Sequence, residues 1–334
     1  MIEMLWFKIL LVPIVVVFGV CFGLFYQGID RILAARMQSR VGPPITQPYR
    51  DFKKLMVKDN IVPRDAVKWL FNLMPVVALS TTLIILLYIP LGGTMPLLEG
   101  HGDLILVLYL LIFPALALVL GGFSSGSPYA VIGAQREMIV LMSYEFPLAI
   151  ISISIAWLLS FTQPGANVFS FLVISKNVIW GLVGPIGFIG LILLLLVLLF
   201  VMQGELGRVP FDVSKADTEI AGGVLSEYSG RNLALFYLAN ITKMVVVGSL
   251  IIALFLPWNI SDLFSVTGFL AHILNLLFFL IKLFLVIFIG STLIKVATAR
   301  LKISQVVPAY WLYAVLISLS GLVLIWIDAA LKTL

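Results

Sequence analysis

Stretches of about twenty residues, almost purely apolar and without alternation, recur along the whole chain. That length matches a bilayer-crossing helix and is twice what a membrane barrel strand needs. They lie at roughly 5–26, 71–91, 104–121, 137–160, 179–203, 231–257, 268–294 and 308–330. No water reaches backbone N–H and C=O groups inside hydrocarbon, so only helices and closed barrels can span it. Hydrophobic residues form 62% of the chain and charged ones 11%, a balance that excludes an ordinary soluble domain. The expectation is an all-α, polytopic integral-membrane protein with about eight transmembrane helices, residues 1–334 forming one membrane domain. The apolar N-terminus carries no small-residue cleavage pattern and is read as a retained first helix.

Charge orients the spans. The connection 27–70 holds Arg31, Arg36, Arg40, Arg50, Lys53, Lys54, Lys58, Arg64 and Lys68, and together with 122–136, 204–230 and 295–307 it holds most of the Lys and Arg. The opposite side offers only Lys8, Lys176 and Lys332 near span ends. The positive-inside rule then makes the first set cytoplasmic, with both termini outside the cell membrane. The net charge of +5 reflects this topology and is no argument for nucleic acid, because the basic residues border spans. Within 27–70, Ile45, Tyr49, Phe52, Leu55 and Met56 recur at three- and four-residue steps among Arg50, Asp51, Lys53 and Lys54. This spacing predicts an amphipathic interfacial helix, set off by Gly42, Pro43, Pro44 and Pro48. Interfacial anchoring explains the amphipathicity. The preceding polar string from Arg36 through Gln38 to Arg40 adds a reason to expect a cytoplasmic docking partner.

Several chemistries are absent. The single cysteine, Cys21, rules out disulfides and Cys-held iron–sulfur or zinc sites within the chain. His101 and His272 lack ligand-like spacing, and no phosphate loop, nucleophile–base pair or metal-ligand cluster stands out. No catalytic residue, metal or resident cofactor is therefore expected. Any electron transfer the chain serves must be carried by partners.

Carboxylates are the exception to the apolar pattern. Glu205, Asp212, Asp217, Glu219 and Glu227 crowd into the 204–230 connection, with only Arg208 and Lys215 between the first and last turn signals, Gly207 and Gly222-Gly223. Asp212 and Glu219, seven residues apart, share a face if the segment is helical. A solvated acidic loop is the bland alternative. Against it stand the interspersed Val209, Phe211, Val213, Ile220, Val224 and Leu225, which suggest a segment folded back into protein with carboxylates facing an internal polar cavity. Crowded carboxylates cannot all ionise, which suits them to pass protons. Glu137 is placed in a first helical turn, where the dipole alone favours it. Glu145 lies deeper, beside the helix-breaking Phe146-Pro147, and is expected to exchange protons. Lys243 and Lys282, deep in apolar spans, are the natural counter-charges; Asp262 and Asp328 read as ordinary interfacial residues.

These motifs resemble the family of the complex I junction membrane subunit, the integral membrane protein that joins the cytoplasmic arm of respiratory complex I to its membrane arm. The family has counterparts in energy-converting membrane-bound [NiFe] hydrogenases and sulfur-reducing relatives. The resemblance is carried by Asp30-Arg31, Gln38, Arg40-Val41-Gly42-Pro43, Ser143-Tyr144-Glu145, Glu205, Arg208-Val209-Pro210-Phe211-Asp212, Ala216-Asp217-Thr218-Glu219 and Glu227-Tyr228-Ser229-Gly230. It covers essentially the whole chain. Quinone-dependent members usually carry a longer insert after the first Gly-Pro and a Pro–Glu pair soon after Pro-Phe-Asp; here that pair is Ser214-Lys215. With Arg136-Glu137-Met138, this places the chain on the hydrogenase-like branch.

The resemblance implies a ferredoxin-driven complex translocating H+ or Na+. Iron–sulfur clusters, and an [NiFe]-type centre, would sit in large hydrogenase-like cytoplasmic partners, beside antiporter-like membrane subunits. It implies an ion relay through Glu145, Glu205, Asp212, Asp217, Glu219 and Glu227, and a partner interface at Arg31, Arg36, Gln38, Arg40, Gln47 and Arg208. A quinone-binding version, a passive anchor and an independent secondary transporter stay open; the last lacks the expected pair of broken helices in corresponding positions.

Overall fold

Apolarity alone cannot separate a helix at the centre of a membrane bundle from one on its rim, because lipid is as apolar as a protein core. A computed structural model, which describes residues 2–100, 102–163, 165–264 and 267–333, makes that separation. His101 and the side chains of Lys8 and Asp262 lie outside the described residues. The elements are α1 (Ile2–Met37), α2 (Gln47–Val57), α3 (Lys68–Tyr88), α4 (Asp103–Ser124), α5 (Pro128–Thr162), α6 (Phe171–Lys176), α7 (Pro185–Leu206), α8 (Asp217–Ile220), α9 (Gly230–Phe255), α10 (Ile260–Phe264), α11 (Phe269–Ala297) and α12 (Ile303–Lys332). Eight of them are long and apolar enough to cross a membrane, as the hydropathy pattern predicts, and no strand occurs among the described residues. α11 and α12 each contain a π-helical stretch, Phe288–Leu293 and Ala309–Ala314.

α9 is the central helix. In its most apolar window 94% of residues are buried, against 22% in α1. It packs on α1, α2, α3, α7 and α11, and its buried small residues Ala234, Ala239, Gly248, Ser249 and Ala253 allow close backbone approach. Around it, α3 runs along α4, and α12 lies on α7 and α5. The α7–α12 contact is tight: a Cβ added at Gly190 would stand 2.7 Å from the Gly321 carbonyl oxygen.

Helix α2 forms where the periodicity predicts it, with Pro48 inside its first turn, where the missing N–H costs nothing. It does more than lie in the interface. Phe52 packs on Leu24, Leu238 and Ile241 of α1 and α9, and the Tyr49 hydroxyl donates to the Cys21 carbonyl at 2.6 Å. Arg31 and Gln47 both donate to the Asp51 carboxylate, at 2.7 and 2.8 Å.

Two helices outrun their apolar stretches. α1 continues eleven residues past the expected boundary at 26, and α5 starts at Pro128, nine residues before 137. Hydropathy stops at the first charges, but charges answered by neighbouring protein do not end a helix. Glu137 is consequently not in a first turn, and the dipole argument for it falls away. The 204–230 connection also departs from the helical expectation. Gly207, at φ 53°, ends α7 in the left-handed cap conformation, and only the four residues of α8 are α-helical before α9. Asp212 and Glu219 therefore share no helical face. The segment does fold back on the protein: Phe211, Val213, Ala216, Ile220 and Val224 are buried, and the Tyr228 ring stacks on Phe71 at 4.1 Å.

Candidate functional site

Glu205, one residue from the end of α7, and Lys243, midway along α9, form an ion pair at the centre of the bundle. Their exposures are 6% and 4%. Removing both charges from water is expensive and is repaid only by close mutual contact. Glu137 of α5 is also buried and accepts a hydrogen bond from the Ser214 hydroxyl. A cavity of about 270 Å³ separates these elements, bordered by Glu137, Glu205, Lys215, Asn240 and Lys243 and roofed in part by Leu55 of α2. Glu205 borders a second space as well, a groove of about 370 Å³ between α4 and α5 whose other polar lining includes Glu145 and Ser152. One Glu145 carboxylate oxygen is buried without a hydrogen-bond partner among the described residues. Pro147 withholds a backbone donor from the Ser143 carbonyl one turn earlier, loosening the helix at that point. Two buried tyrosines, Tyr144 and Tyr310, crowd the backbone next to Glu205: a Cβ on Gly204 would approach the Tyr310 hydroxyl to 2.5 Å. Thus Glu137, Glu205 and Glu145 line two spaces that meet at one residue.

Other acids of the 204–230 connection do not reach the cavity. Asp212 pairs with Arg300 at 3.1 Å, and Arg300 also donates to Thr218 at 3.3 Å. Glu219 pairs with Arg136, Asp217 is exposed and Glu227 half-buried. Burial pushes the Asp212 carboxyl upward, and nearby Lys215 and Arg300 only partly oppose it. So the expected inward-facing set divides: Glu205 faces the interior, while Asp212 and Glu219 bridge to cations on α5 and the 298–302 connection.

A second polar cluster gathers around Arg208, two residues past the end of α7. Arg208 donates to Ser291 at 2.6 Å, Gln27 at 2.5 Å and Asp30 at 3.3 Å. Thr292 donates to the other Asp30 oxygen at 2.7 Å, and Lys295 stands 3.7 Å away. This ties α1, the acidic connection and the π-helical stretch of α11 together, and Gln203 of α7 donates to the Gly290 carbonyl in the same stretch.

The residues expected at a partner interface therefore separate. Arg36, Gln38 and Arg40 are exposed where α1 ends. Arg31 and Gln47 clasp Asp51 within the chain, and Arg208 is turned inward with a side-chain exposure of 12%. Lys282 does not join the carboxylates. Its ammonium donates to the carbonyls of Leu256 and Trp258, at 2.8 and 2.7 Å, capping orphan carbonyls where α9 ends. Leu256 lies thirteen residues beyond Lys243 in sequence, roughly 20 Å at helical rise. Asp328 is likewise not an ordinary interfacial residue: it is buried and accepts the Gly184 N–H at 2.6 Å, at the start of α7. Asp30 and Ser214 stand out in the sequence only through the family motifs, which assign them no partner, and Lys295 and Arg300 belong to no motif. All four are single polar residues whose partners are far away in sequence. Among the described residues no group of three metal-ligating side chains occurs.

An eight-span helical bundle with a buried carboxylate–lysine pair and a basic, helix-bearing face defines a polytopic membrane protein with a polar interior. A family model described as NADH dehydrogenase matches residues 9–326, and the chain belongs to that family. It is 34% identical over 287 residues to Hydrogenase-4 component C of Escherichia coli (strain K12), covering 86% of each chain. It is 28% identical over 324 residues to a NADH-quinone oxidoreductase subunit of Dehalococcoides mccartyi (strain CBDB1), covering 94% of this chain and 85% of that one. Its fold matches a chain in the structure of the membrane-bound sulfane sulfur reductase, an archaeal respiratory membrane complex. That match has a TM-score of 0.79 and 26% identity, over 95% of this chain and 98% of the other. The family resemblance drawn from the motifs holds across residues 9–326.

Proposed function

We propose that this chain is the membrane coupling subunit of a ferredoxin-dependent, energy-converting oxidoreductase complex of the hydrogenase or sulfur-reductase type. The observation that carries the proposal is Glu205, paired with Lys243 and bordering both the acid-lined cavity and the groove that holds Glu145. In this reading the exposed face at Arg36, Gln38, Arg40 and α2 receives iron–sulfur and large hydrogenase-like subunits on the cytoplasmic side of the cell membrane. Antiporter-like membrane subunits lie beyond the groove, and both termini face outward. Redox events in the cytoplasmic partners alter charge beside the cavity. A proton reaching Glu205 leaves the Lys243 charge without its counter-ion, so protonation, side-chain movement and transfer toward Glu145 are coupled. The other acids of the connection, Asp212, Asp217, Glu219 and Glu227, act as the entrance to this path, with Glu137 at its first buried step. Redox centres belong to the partners.

The test uses the purified complex carrying Glu205→Gln or Glu145→Gln. Each variant is expected to assemble, to keep part of its ferredoxin-driven electron transfer and to lose H+ or Na+ uptake into vesicles. Ion uptake at the parental ratio in both would remove these residues from the mechanism. The quinone-binding alternative rests on the match to the NADH-quinone oxidoreductase relative over 94% of this chain; it requires that the same purified complex reduce added quinone.

A further inference from the structure

At the opposite end of the bundle from α2, a cavity of about 660 Å³ opens where α3 and α9 end and α11 begins. It is more than twice the volume of the acid-lined cavity and nothing in the coupling role uses it. Two cations line it, Lys176 at the end of α6 and Lys282 of α11, and no acidic residue does among those described. Thr94 and Ser175 add hydroxyl groups, each donating to a nearby carbonyl, of Leu91 and Leu172, and Leu172 and Phe279 belong to its apolar wall.

Chain geometry creates the space. Pro257 prevents α9 from continuing, and Gly92 and Gly93, at φ 60° and 77°, let the 90–96 connection turn against α11. A Cβ on Gly92 would meet the Leu276 Cα at 2.9 Å. Capping the end of α9 accounts for two of the three Lys282 N–H donors. The ammonium also stands 4.9 Å from the centre of the Phe278 ring, but among the described residues no carboxylate meets its charge, which is held at 8% exposure. Lys176 is exposed at the same opening.

Two lysines and an apolar wall within one cavity suit an anion carried on a hydrocarbon chain. We propose that this cavity is a lipid site: it takes the phosphodiester headgroup of an anionic membrane lipid from the leaflet opposite α2, with the acyl or isoprenoid chain along the Leu172–Phe279 wall. The bound headgroup supplies a counter-charge to Lys282, which pairs with no carboxylate among the described residues, and fills the gap between α3, α6, α9 and α11.

The experiment is photo-crosslinking of the intact purified complex in detergent with photoactivatable phosphatidylglycerol, against photoactivatable phosphatidylcholine, followed by peptide mapping. Phosphatidylglycerol is expected to label the 90–96 connection, α6 or the first half of α11 with about thirtyfold preference, the size that two lysines at about 1 kcal/mol each confer. Lys176→Glu should bring that preference to about parity, and Ser175→Trp, which fills the cavity, should abolish labelling of these segments by either lipid. Both positions are on α6, so neither removes the cap on α9. Millimolar inorganic phosphate should leave the labelling intact. Labelling confined to other segments, unchanged labelling in both variants, or displacement by inorganic phosphate alone would each overturn the proposal. Ion translocation is not the readout, so this outcome is independent of the Glu205 experiment.

Discussion

At Glu205 and Lys243 the two charges are worth little except to each other. Removing one partner of a buried pair leaves an uncompensated charge, and Lys243→Met is expected to destabilise the protein by about 3 kcal/mol. Lys243→Met combined with Glu205→Gln should recover most of that loss, measured by thermal unfolding of the detergent-solubilised protein. Independence of the two substitutions would refute the pairing. Arg208 makes the complementary case. Its planar fork reaches Gln27, Asp30 and Ser291 from two separate nitrogens, a spread that the point-like ammonium of lysine does not reproduce. Arg208→Ala should cost about 2 kcal/mol, and Arg208→Lys should restore less than half. The Ser214-Lys215 departure from quinone-dependent relatives also finds a place here: Ser214 bonds to Glu137, and Lys215 lines the cavity. Those contacts link the acidic connection to α5 and to the Glu205 site.

Among the elements, α2 and the α7–α12 pair show how local chemistry sets an interface. Burial pushes the Asp51 carboxyl up, but hydrogen bonds from Arg31 and Gln47 outweigh it and hold the group below the usual aspartate range. A lowered native pKa means stabilisation that is fully present above the unfolded value of about 4 and lost as pH falls through the native value. Hydrogen exchange across residues 47–57 should therefore be flat from neutral pH down to about 4 and speed up below it, after correction for intrinsic rates. In Asp51→Asn that acid transition should disappear. The size is modest, about 0.5 kcal/mol, because both side chains keep close to a third of their exposure. At the α7–α12 contact, Gly321→Leu would drive a side chain into Leu194, which stands 3.0 Å from the position of an added Cβ. Overpacking of this kind costs about 1–3 kcal/mol, and the melting temperature should fall accordingly, whereas Ser320→Leu on the exposed neighbouring position should leave it unchanged.

For the whole molecule, the consequential facts are which end of the bundle is basic and which helix is central. With Cys21→Ala as background, Arg40→Cys should react with a membrane-impermeant maleimide only from the cytoplasmic side, and Lys176→Cys and Lys332→Cys only from the outside. Labelling of all three from one side would invert or break the proposed topology. The arrangement separates two polar regions along the central helix: the Glu205–Lys243 pair in the half toward α2, and the Lys282 cap where α9 ends. A basic face with α2 and an acid-lined cavity beneath it sit at one end, and the lysine-lined cavity sits at the other.

The number of spans, the α2 helix and the presence of unusual carboxylates were legible in the sequence, because bilayer thickness and amphipathic periodicity act on neighbouring residues. So was the family, through runs such as Pro210-Phe211-Asp212 and Glu227-Tyr228-Ser229-Gly230. What those charges do was not legible. Glu205 and Asp212 look alike in sequence, yet one is sealed against Lys243 and the other is bridged to Arg300 near the surface. Lys243 and Lys282 look alike too, and one meets a carboxylate while the other caps backbone carbonyls. Local apolarity decides that a segment enters the membrane. Which of its polar atoms find partners depends on residues as far as 262 positions apart for Asp30 and Thr292, and farther for Asp30 and Lys295, and only the packing of the helices around α9 brings those together.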